Sequence, residues 1–69
     1  MVNAAQNKGN IMKYYLNGKQ TSYIKAVEFF ASVLNEKDLP GELWHGRNNE
    51  EGREVIFDIT DGQLEIIVE

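Results

Sequence analysis

The chain predicts an α+β fold: a small antiparallel sheet in the order β-(β)-α-β-β-β, with one amphipathic helix packed on one face. Three observations predict it. The β-forming run Ile11–Leu16 (IMKYYL) ends in Asn17-Gly18. Apolar residues then recur at helical spacing from Tyr23. Finally, Asp61-Gly62 separates two apolar-rich runs, Arg53–Thr60 (REVIFDIT) and Gln63–Glu69 (QLEIIVE).

Asn-Gly is the strongest two-residue hairpin signal, because a type I′ turn needs positive φ at both positions. Lys19–Thr21 then pairs back briefly on the first strand. Thr21 or Ser22 supplies an N-cap hydroxyl for the helix that follows, over about Tyr23–Glu36. At 100° per residue its apolar side chains fill an arc of roughly 220°, where a helix lying on a sheet needs only about 100°. A long following loop or a partner would cover the excess. Pro40 cannot continue the helix. Gly41–Arg47 (GELWHGR) reads as a strand or a single helical turn. The strand is preferred, since a structureless stretch over 37–52 is too long for so small a domain. Asn48–Gly52 (NNEEG) is a turn.

The reversal at Asp61-Gly62 predicts a hairpin in fixed register: Thr60 faces Gln63, Ile59 Leu64, Asp58 Glu65, Phe57 Ile66, Ile56 Ile67, Val55 Val68 and Glu54 Glu69. One face, Val55, Phe57, Ile59, Leu64, Ile66 and Val68, is apolar and meets the helix. The other carries Glu54, Ile56, Asp58, Glu65, Ile67 and Glu69. Gly18, Gly46, Gly52 and Gly62 read as turn residues.

The chain has 69 residues, no Cys, 42% hydrophobic and 26% charged residues. These figures suit an ordered soluble chain of one domain, in which nearly every apolar residue joins one core or is shared with a partner. Residues 11–69 form that domain, and the polar MVNAAQNKGN of residues 1–10 reads as a flexible N-terminal tail. It has no targeting pattern, and no apolar run approaches the roughly 18 residues of a membrane span, so a cytoplasmic location is expected.

The net charge of −4 is divided. Residues 1–27 hold four Lys and no acid, giving +4; residues 28–69 hold eleven acids against Lys37, Arg47 and Arg53, giving −8. Such an acidic half repels a phosphate backbone and suits a basic protein surface.

The outer hairpin face is the leading candidate site. Facing acids are unfavourable, and an acid–Ile–acid pattern is that of an interface with an apolar centre and charged rim. Otherwise Lys13 or Lys19 neutralises the acids, or the face is simply solvated. Asp58 and Glu65 supply too few oxygens for a divalent cation. Trp44 and Arg47, hot-spot residue types, form the second candidate, although Trp44 reads slightly better as a core residue. His45 near Glu50, Glu51 or Glu54 lacks any nucleophile or second metal ligand, so no catalytic residue, metal site or cofactor is expected. Tyr14, Tyr15 and Tyr23 with Lys13, Lys19 and Lys25 could stack a single nucleic-acid strand, but Tyr14 and Tyr15 point to opposite faces.

A short strand, an Asn-Gly turn, a capped helix and a C-terminal hairpin loosely resemble small accessory proteins of phages and mobile elements. That resemblance implies an inhibitor masking a basic, nucleic-acid-binding surface of its target. The expectation is thus a small acidic non-catalytic protein-binding module using Glu54, Ile56, Asp58, Glu65, Ile67, Glu69, Trp44 and Arg47. The alternatives are a homo-oligomer joined through the helix flank at Phe29 and Val33, and a single-stranded nucleic-acid binder using the Lys/Tyr half.

Overall fold

The computed structural model describes residues 11–35 and 41–69. The flexible tail expected at residues 1–10 and the break expected at Pro40 lie outside the described residues. Strand β1 (Met12–Leu16) turns through Asn17-Gly18 into β2 (Lys19–Thr21). Asn17 and Gly18 both take positive φ, 53° and 85°, as the type I′ turn requires. Helix α1 (Tyr23–Leu34) follows at once. The Ser22 hydroxyl oxygen caps it, accepting from the Lys25 amide at 3.2 Å. Its end is set by Asn35 in the left-handed region, two residues short of the expected Glu36.

The second half departs from expectation. Gly41–His45 is a short helix, α2, continued by a 3₁₀ turn over Gly46–Asn48. Arg53–Thr60 is no strand: Glu50–Ile59 forms helix α3. Among the described residues of this half the one strand is β3 (Leu64–Val68), and it pairs antiparallel with β1 rather than with residues 54–60. Among the described residues the sheet has the order β2-β1-β3, with three helices where one was expected.

The physical reason lies at both ends of α3. The Asn49 side chain accepts from the Gly52 amide at 2.7 Å, and Glu50 and Glu51 occupy the positive first turn. At the other end, Asp61 and Gly62 do take positive φ, 58° and 79°. They close a helix, however, instead of a hairpin. The Gly62 amide donates to the Phe57 carbonyl at 2.8 Å and the Asp61 amide to the Asp58 carbonyl at 3.0 Å, a Schellman motif. Thr60, buried, joins helix to strand: its hydroxyl lies 2.9 Å from the Ile56 carbonyl and accepts from the Leu64 amide at 3.1 Å.

Helical spacing reassigns the faces of this segment. Ile56 and Thr60 are buried and Ile59 packs against the core, while Val55 and Phe57 turn outward. The core lies on one sheet face, where Tyr14, Leu64 and Ile66 meet Ala26 and Phe30 of α1, Trp44 of α2 and Ile56 of α3. Full burial of side chains such as Phe30 and Ile56 contributes about 1.5–3 kcal/mol each. Trp44 closes this core against Tyr14, with ring centroids 6.1 Å apart in a stacked arrangement. Gly46 and Gly52 are not loop residues: they bring the 3₁₀ turn and α3 into backbone contact.

Candidate functional site: an acidic groove at an open strand edge

The predicted outer hairpin face does not exist, because residues 54–60 are helical. Ile56 is fully buried and cannot be a contact residue. Glu54 does not face Glu69; Ile11 lies opposite Glu69, with the Glu69 amide bonding the Ile11 carbonyl at 2.8 Å. Glu69 also pairs with Lys13, Nζ to Oε1 at 2.9 Å, so one carboxylate of the predicted site is neutralised as the alternative reading anticipated. The Glu69 carboxylate, hydrogen-bonded and opposite in charge, raises the Lys13 pKa above its ordinary 10.5.

Trp44 is a core residue, 5% exposed, and its indole N–H donates to the Tyr23 hydroxyl at 3.3 Å. Arg47 covers it: the guanidinium carbon lies 5.1 Å from the Trp44 ring centroid and 5.6 Å from that of Tyr23. Arg47 also donates to the Trp44 carbonyl at 3.0 Å, and its own carbonyl accepts from Arg53 at 2.7 Å. Neither residue is offered freely to a partner; both hold α2 against the core. The Tyr14 ring likewise lies inside, leaving Lys13 and Tyr15 on the opposite sheet face, where they stand across from Ile67 and Glu65. On α1, Phe29 packs against the core, and the exposed Ile24 and Val33 stand roughly 180° apart, so they form no common patch.

The fold nonetheless brings Glu54, Asp58, Glu65 and Ile67 together by another route. A groove of about 620 Å³ runs between α3 and β3. It is lined by Glu50, Arg53, Glu54, Phe57 and Asp58 from the helix and by Glu65, Ile66 and Ile67 from the strand. Positions 50, 54 and 58 recur every four residues, so their carboxylates share one side of α3. Glu65 adds a fourth acid from the strand, against Arg53 as the one cation among the described lining residues. Phe57, 41% exposed, and Ile67, 36% exposed, give the groove apolar surface.

Glu50, Arg53 and Phe57 were missed because their placement depends on a helix. The usable signal was Asn49 followed by two acids, a helix start. Among the described residues no group of three His, Asp or Glu side chains is placed to hold a metal ion. His45 Nδ1 lies 3.3 Å from the Asn48 amide nitrogen, and no His–carboxylate pair occurs among the described residues. The chain matches no protein-family model, and neither a curated protein nor a solved structure matches it.

Proposed function

We propose that this chain is a small acidic, non-catalytic binding module that captures a basic segment of another protein in the groove between α3 and β3. The observation that carries the reading is the groove's composition: among the described residues, Glu50, Glu54, Asp58 and Glu65 against Arg53, around exposed Phe57 and Ile67. Apolar centre and charged rim is the anatomy of a protein interface, and the charge sign selects a cationic partner. A strongly basic protein surface is the kind that holds a phosphate backbone. An acidic module seated there competes with nucleic acid, which makes inhibition by masking the natural consequence of binding.

The test is an NMR titration of the full chain with a lysine-rich peptide. Amide shifts confined to residues 50–58 and 65–67, weakening as salt is added, are expected. Reversing two charges, Asp58→Lys with Glu65→Lys, should abolish binding while the spectrum keeps its native dispersion. Undiminished binding by that double variant overturns the proposal.

A further inference from the structure

The groove floor has a property that its acids do not explain. A strand showing a side-chain face contributes alternate residues, yet Glu65, Ile66 and Ile67 all line the groove. The Ile66 side chain is buried in the core, so what it presents there is backbone. Among the described residues β3 is also an edge strand, with β1 on one side and no strand on the other.

The ladder shows which groups are unpaired. Ile11 and Glu69 exchange both bonds, the Ile11 amide to the Glu69 carbonyl at 3.4 Å and the reverse at 2.8 Å, and the Asn17 amide bonds the Gln63 carbonyl at 2.8 Å. Antiparallel pairs alternate between bonded and non-bonded. Residues 65 and 67 therefore bond β1, while residues 64, 66 and 68 direct N–H and C=O to the open edge. Thr60 satisfies the Leu64 amide. Among the described residues the Ile66 and Val68 amides and the Leu64 and Ile66 carbonyls have no partner across that edge, and Ile66 itself lines the groove. The strand, LEIIV, carries no Pro or Lys of the kind that guards an edge.

We infer that the basic segment binds as a fourth strand, hydrogen-bonded to the edge of β3 and running beneath α3. This rests on the acidic-groove reading and adds a geometry to it. In an added strand, side chains alternate. Those on the helix side meet Glu54 and Asp58, so they are Lys or Arg; those on the other side lie beside Ile67 and Glu65, so they are apolar at Ile67 and apolar or basic at Glu65. The occupant is an extended segment alternating basic and apolar residues. A second copy of this chain is disfavoured, since it brings one acidic α3 toward another.

The experiment uses the full chain and a capped peptide of about eight residues alternating lysine and valine. On saturation, hydrogen exchange at the Ile66 and Val68 amides is expected to slow by about tenfold or more. Two further peptides carry N-methyl groups on the lysines or on the valines. Only one set donates toward β3, so one methylated peptide should bind like the parent and the other at least about tenfold more weakly. If the parent peptide shifts the groove amides but leaves Ile66 exchange unchanged, or if both methylated peptides bind alike, strand addition fails and the acidic groove stands. If the parent peptide leaves the groove amides unmoved, both readings fall. Protection of Ile66 that rises with protein concentration alone, without peptide, assigns the edge to a second copy and overturns the inference.

Discussion

Gly46 and Gly52 meet backbone to backbone: a Cβ on Gly52 would lie 2.6 Å from the Gly46 Cα and overlap its carbonyl. This contact seats the 3₁₀ turn against the first turn of α3. Gly52→Ala improves helix propensity by about 1 kcal/mol. It also forces the turn away, and overpacking of this kind costs about 1–3 kcal/mol or more. Net destabilisation is expected in urea unfolding. Gly41→Ala, where a Cβ meets nothing within 4 Å, should show none.

Ile56 and Phe57 exchange roles between a hairpin and a helix. With Ile56 fully buried and Phe57 41% exposed, Ile56→Ala should destabilise by about 2–5 kcal/mol, and Phe57→Ala by less than about 1 kcal/mol. The opposite order in chemical denaturation would contradict α3.

Thr60 provides the acceptor for a buried strand amide. Thr60→Val keeps the shape and strands the Leu64 N–H, which costs about 1–3 kcal/mol. Thr60→Ser keeps the hydroxyl and should recover most of that loss. Equal loss in the two variants would show that the hydroxyl is not what matters.

The Lys13–Glu69 pair makes an alkaline signature. Its folded-state pKa is raised, so the stability it contributes is fully present below the unfolded value of 10.5 and is lost as pH rises through the folded value. The thermal midpoint of the parent chain should therefore fall more than that of Lys13→Met between about pH 9 and about pH 12. High salt should narrow the difference, because the pair is solvent-exposed.

The first half of the chain was legible because each of its signals has one use. Asn17-Gly18 sits between two short β-forming runs, and Ser22 opens a helix whose apolar positions repeat at 3.6 residues. The second half was misread where one signal has two uses. Asp61-Gly62 supplies two successive positive φ angles, which a type I′ hairpin and a Schellman cap need equally. Val55, Phe57 and Ile59 alternate as in a strand, while Gly52, Ile56 and Thr60 fit helical spacing over the same stretch. The helix start at Asn49-Glu50-Glu51 was the signal that separates the two. The candidate site was partly visible all the same. Asp58 and Glu65 lie on either side of one reversal, so a hairpin and a helix–strand corner both bring them close. Ile56 could not be placed, because its burial depends on which period is correct.

The central position of β1 has a kinetic consequence. Its partners come from opposite ends of the described chain: β2 lies one tight turn away, whereas β3 arrives only after three helices. The β1–β2 hairpin can form in microseconds, but joining β3 closes a loop of nearly the whole domain. With collapse of the helices onto Tyr14 preceding the last zippering step, substitutions in β2 should slow refolding, whereas those in β3 should mainly speed unfolding.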